Sequence, residues 1–178
     1  GYPAFSLQNG FELAIVPLMA VLVAGWLEEQ DHRIETEQST HRENEQAVAA
    51  QRKEQLKNFH EAVLLALGTP GNPEQVGLKI AELTRAALPQ LDGKGKGELL
   101  HFLFEKGLLN SESPLVELQG ADFSGANLHK AHLKDICLAG VNFSNAQLIG
   151  CHLAQGRFGG ANFSRAFLRH ADLRESLL

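Results

Sequence analysis

The sequence predicts a four-sided β-solenoid at its C-terminal end, entered through a series of helices of which the first is strongly apolar. Three observations lead there. Leu or Phe recurs at every fifth position from Leu118 to Leu178, a small or branched residue stands two places before each, and the whole pattern repeats after twenty residues. In GADFSGANLHKAHLKDICLA, residues 120–139, the large members are Phe123, Leu128, Leu133 and Leu138. An α-helix has no use for this spacing, because five steps of ~100° carry each side chain ~140° around the axis. A strand has none either, because an odd spacing sends alternate members to opposite faces.

The series Leu118, Phe123, Leu128, Leu133, Leu138, Phe143, Leu148, Leu153, Phe158, Phe163, Leu168, Leu173 and Leu178 is unbroken. Its companions two places earlier run from Val116, Ala121 and Ala126 to Ala171 and Ser176. All these side chains can face inward only if the chain turns a corner every five residues, and units this short bury their apolar side by stacking. Four corners make a coil of twenty. GADFSGANLHKAHLKDICLA, GVNFSNAQLIGCHLAQGRFG and GANFSRAFLRHADLRESLL align end to end, so Phe123, Phe143 and Phe163 should form one interior column beside all-Leu columns.

The elements upstream follow in order. Residues 1–27 carry one charge, Glu12, and FELAIVPLMAVLVAGWL (Phe11 to Leu27) reads as a membrane anchor, with Trp26 where an aromatic belt residue would sit. Arg33 and Arg42 follow it and no Lys or Arg precedes it, which places the rest on the cytoplasmic side. Residues 28–67 lack Gly and Pro and read as a long polar helix that gains a packing face at Leu56, Phe59 and Val63. Residues 68–115 open with GTPGNPE and form a small helical region. QVGLKIAELTRAAL is its first helix, GKGKG a flexible turn, and an apolar helix around Leu99 to Leu109 caps the solenoid. Residues 116–178 are the solenoid, expected to continue beyond Leu178.

ADFSG, ANLHK, ANFSR and ADLRE match the motif A-(D/N)-L/F-x-x, and the stretch resembles the pentapeptide-repeat proteins. That resemblance implies a right-handed quadrilateral β-helix. LAIVPLMAVLVAGWLEEQ and LDGKGKGELLHFLFEKGLL, in that order, also resemble a membrane-anchored cyanobacterial group of the family. This implies a scaffold or accessory subunit of a thylakoid or plasma membrane complex, photosynthetic or respiratory.

The chain shows no nucleophile elbow, no HExxH and no phosphate-binding loop, since GKGKGE lacks the required order. The expectation is a non-catalytic protein without cofactor, metal or small-molecule substrate, whose partners are other proteins and a membrane. Cys137 and Cys151 make neither a disulfide framework nor a metal spacing. A topoisomerase-protecting DNA mimic, known among such proteins, is the alternative. It needs an acidic rod, whereas residues 116–178 hold five acids against six bases, so no nucleic-acid partner is expected. Two outer features stand out. His132, His152 and Asp172, twenty apart, form a polar ladder, and Ile149, Phe167, Arg169 and Lys130 form a mixed apolar and basic patch suited to an interface.

Overall fold

The computed structural model describes the backbone of residues 7–178, with side chains from Met19 onward in the first helix. The chain divides into two compact units, residues 1–49 and 50–178.

Helix α1 spans Leu7–Gly68 and so includes the expected 27/28 division between apolar and polar segments. Within the first unit nearly every side chain from Met19 onward is exposed, Val21, Leu22, Trp26 and Leu27 among them. Residues 11–18 of the expected anchor lie outside the described side chains. Among the described residues no helix is long and apolar enough to cross a membrane.

The second unit is built on one continuous core. The end of α1 contributes Leu56, Phe59 and Val63; α2 (Pro73–Ala87) contributes Ile80 and Ala81; α3 (Gly93–Glu105) contributes Leu99, Leu100 and Leu103. Asn72 caps α2 through Glu74 N–H, with Pro73 in the first turn, where its missing donor costs nothing. Asp92 caps α3 by accepting from Gly95 N–H at 2.7 Å, and its other oxygen takes the Arg52 guanidinium of α1, also at 2.7 Å. One carboxylate thus fixes α3 and ties it to α1.

The GKGKG stretch, expected to be a flexible turn, is instead the first part of α3, which ends at Glu105 rather than Leu109. Its glycines serve a close approach. A Cβ at Gly93 would meet Gly125 O at 2.3 Å, and one at Gly97 would meet Asn127 O at 2.1 Å. One helical turn apart, the two glycines share a face, and that face lies directly on the first coil. Asn127 N–H donates to Gly93 O at 2.7 Å, and the buried Lys96 reaches Ser124 O at 3.0 Å. Leu109 O accepts from Cys137 N–H while Asn110 pairs antiparallel with Ile136. Backbone groups at this end of the coil that would otherwise lack partners are therefore satisfied.

From Val116 the backbone climbs as a coil of period twenty. Asp122 bridges Asn142, Asn127 bridges Gln147, His132 bridges His152 and Cys137 bridges Arg157, all in parallel. These are single-residue bridges rather than strands, because only three extended residues separate successive turns. Each corner is closed by a bond such as Ala126 N–H to Phe123 O at 3.0 Å. The third turn residue has positive φ at Gly120, Gly125, Gly140, Gly150 and Gly160, and also at Lys130, Asp135, Asn145, Gln155, Arg165, His170 and Glu175. That is the sign a type II turn demands there.

The interior is filled as the period predicts. Phe143 lies between Phe123 and Phe163, with ring centroids at 5.9 and 5.5 Å. Phe158 breaks the Leu column of its side and packs edge-on against Phe163 at 5.7 Å. It fits because position 156 is glycine: a Cβ there would lie 2.4 Å from the Phe158 ring. Outside, Asn162 donates to Asn142 and Asn142 to Asp122, whose other oxygen faces Lys96 at 3.8 Å. Burial pushes the Asp122 carboxyl up, but hydrogen bonds from Ser124 and Asn142 and the Lys96 charge outweigh it and leave the group below its ordinary value.

Three expectations follow. Gly156→Ala should destabilise the coil by about 1–3 kcal/mol through overpacking, read by thermal unfolding, while Gly159→Ala, with open space at its Cβ, costs less. Gly97→Ala should cost a similar amount, because only backbone movement relieves its contact with Asn127 O, and amide exchange should rise at Asn127 and Cys137 first. The third concerns His60, which stacks on Phe102 at 3.9 Å with Nε2 buried and without a hydrogen-bond partner among the described residues. Burial lowers its pKa, opposed by Glu98 and assisted by Lys106. Stability should therefore fall as pH drops below the unfolded-state value of ~6.5, where the unfolded chain takes the proton more readily. His60→Phe should reduce the slope of melting temperature against pH over that window.

Candidate functional site

The coil has four outer sides, each named by its interior column. The first is backed by Leu118, Leu138 and Phe158, the second by the Phe column, the third by Leu128, Leu148 and Leu168, and the fourth by Leu133 and Leu153 with Leu173. Along each side the middle residue of the three points outward, and the two turn residues that follow form the corner.

Phe167 stands at the middle of the third side, in the outward column that reads Asn127, Gln147, Phe167, and is 58% exposed. Nothing in the core needs an apolar residue there. Ile149, Arg169 and Lys130 lie not on the flat of that side but at the corner after it, with Ile149 half-buried and the two cations exposed. Lys130 takes a left-handed backbone at φ 56°, and its Cγ lies where a Cβ on Gly150 would meet it at 3.4 Å. Its stem therefore lies against the corner of the next rung at Gly150. The structure thus gathers the four residues along one side and its corner.

Arg165 was not picked out from the sequence. It sits at the corner before the third side with φ 59°, so Arg165, Phe167 and Arg169 cross the side in one rung. Assigning each fifth residue to its corner would have found it.

His132 and His152 stack on the fourth side, ring centroids 4.5 Å apart and nearly parallel at 13°. Asp172 continues the bridged column but turns its carboxylate to Arg174, with two bonds of 2.8 Å. Those hydrogen bonds hold the Asp172 carboxyl down at about 2. The ladder is thus a stacked histidine pair beside a self-contained ion pair. Among the described residues no group of three or more His, Cys, Asp or Glu could hold a metal ion. Burial pushes the Cys151 thiol up to about 12, and a thiol so held is a poor nucleophile at neutral pH.

Three open clefts of about 340 to 380 Å³ mark the second unit's surface. One lies on the fourth side over His152, Asp172 and Arg174; another, largely apolar, lies between the end of α1 and α2 at Leu65, Val76 and Leu83. Neither of these two gathers a nucleophile with a base; the third is lined by Glu74, Gly77, Ser113 and Glu117.

A family model described as pentapeptide repeats matches residues 116–145 and 142–178, with eight copies. No curated protein matches the chain. Among solved structures, the chain is similar to HetL, a pentapeptide repeat protein involved in heterocyst differentiation regulation from the cyanobacterium Nostoc sp. strain PCC 7120. The two are 26% identical over 35% of this chain and 36% of that one, with a TM-score of 0.25. The five-residue period, the bridges twenty residues apart and the family match meet on the same stretch: residues 116–178 are similar to pentapeptide repeats and wind as a coil of twenty residues per turn.

Proposed function

We propose that this chain is a non-catalytic interaction protein, tethered to a membrane through its apolar N-terminal helix, which presents the repeat coil to a protein partner. The observation that carries this reading is the combination of an apolar-filled coil with an exposed aromatic side chain, Phe167, on a side that does not need one. An interior occupied by Leu and Phe leaves the outer sides as the working surface, and exposed apolar groups on a flat surface are what partners cover. The exposed Val21, Leu22, Trp26 and Leu27 support the tether, since an apolar helix without a protein surface against it is stable in lipid. The coil hand in this reading is the family's right hand. A cyanobacterial membrane complex of photosynthetic or respiratory type, with the repeats on the cytoplasmic side, fits the upstream segments and is part of the proposal.

Extraction of the tagged protein in mild detergent, followed by native size separation, tests it. Co-migration with a defined larger assembly, lost on Phe167→Asp, is the expected result. Recovery as a free particle would overturn the partner, and recovery without detergent would overturn the tether.

A further inference from the structure

Charge is unevenly shared among the four sides of the coil. All five carboxylates of residues 116–178 lie elsewhere than the third side: Glu117 on the first, Asp122 on the second, Asp172 on the fourth, and Asp135 and Glu175 at the corner between the fourth and the first. The third side and its two corners hold Lys130, Arg165 and Arg169, together with His129 and His170, and no carboxylate. Pairing differs in part along the same lines, although Arg157 on the first side also lacks a carboxylate partner among the described residues and donates to Ser111 O at 3.1 Å. On and beside the fourth side, Arg174 is bound to Asp172 and Lys134 lies 4.0 Å from Asp135. Lys130, Arg165 and Arg169 make no ion pair among the described residues. Cations with no carboxylate on their own side of the coil favour a negative partner there and raise its rate of encounter.

We infer that the third side docks an acidic polypeptide segment that places a large apolar side chain against Phe167 and carboxylates against Arg165, Arg169 and Lys130. This rests on the protein-interaction reading above and names the partner's chemistry. Arg165 and Arg169 flank Phe167 in one rung, roughly 13 Å apart at most at ~3.3 Å per residue, a span that two carboxylates on either side of an apolar residue can match. Guanidinium groups suit carboxylates through their paired donors. The coil's backbone groups here are already used between rungs, Phe167 N–H donating to Ala146 O at 2.9 Å and Phe167 O accepting from Leu148 N–H at 3.0 Å. Recognition on the flat of this side therefore runs through side chains and not through an added strand.

The test uses the detergent-solubilised full chain and a fluorescein-labelled peptide of glutamates interrupted by a single leucine, with a lysine counterpart and a labelled single-stranded oligothymidylate as controls. The glutamate peptide should bind in low salt and be released in ~1 M salt, where screening acts within ~3 Å. Arg169→Glu and Lys130→Glu should each weaken it about tenfold, and Phe167→Ser should weaken it as well. Lys134→Glu makes the same charge change beyond the fourth side and should leave binding within about twofold. Equal loss in Lys134→Glu would overturn the assignment to this side, and preference for oligothymidylate would overturn a polypeptide partner. If the peptide fails to bind while a co-migrating protein is still lost on Phe167→Asp, the acidic chemistry is wrong and the interaction reading stands. If no protein co-migrates either, both fall.

Discussion

Everything in the repeat segment depends on the corner. Every fifth residue from Gly120 to Glu175 takes positive φ, and seven of the twelve that do so are not glycine. A left-handed conformation costs an ordinary residue about 1–2 kcal/mol, so this backbone is held against local preference by what the corners enclose. Between them lie two inward side chains per five residues, fully buried through most of the coil. A buried Leu or Phe contributes roughly 1.5–3 kcal/mol, enough to offset a strained corner beside it. Filling the interior bends the chain, and bending the chain leaves each side only one bridged residue long.

The same economy shapes the approach from the helices. A solenoid end exposes unpaired backbone, and here the last turns of α1 and the whole of α3 share a core with the first coil. Glycine at positions 93 and 97 lets helix and coil backbones touch, and Asp92 holds both the start of α3 and Arg52 of α1. The apolar interior then forms one cluster from Leu56 to Phe158. What the molecule offers is surface, divided by charge into a side without acids and sides that hold them.

The repeat segment was almost wholly legible in the sequence, because its signal is a count. Inward positions, the Phe column and the twenty-residue register follow from it, and Phe163 stacks on Phe143 as the alignment requires. The helices were less legible where glycine was concerned. GKGKG reads as a loop by composition, and only its approach to Asn127 explains a helix there. Leu78 keeps helical spacing yet is exposed, while Thr84, polar by type, is buried and donates to Ile80 O at 2.8 Å. Periodicity gives a face but not what covers it. For the site, Phe167 could be read as outward from its place in the repeat; the unpaired state of Arg165 and Arg169 could not, because pairing depends on which carboxylates the corners bring near.

One cross-linking measurement bears on the account's centre, the twenty-residue coil. Cys137 and Arg157 are bridged partners on adjacent rungs, and Cα atoms at ~4.8 Å lie within the range a disulfide spans. With Cys151→Ser to remove the other thiol, Arg157→Cys should join Cys137 under mild oxidation, and Asn162→Cys, one side further round, should not. Cross-linking at 162 in preference to 157, or none at 157, would contradict the coil.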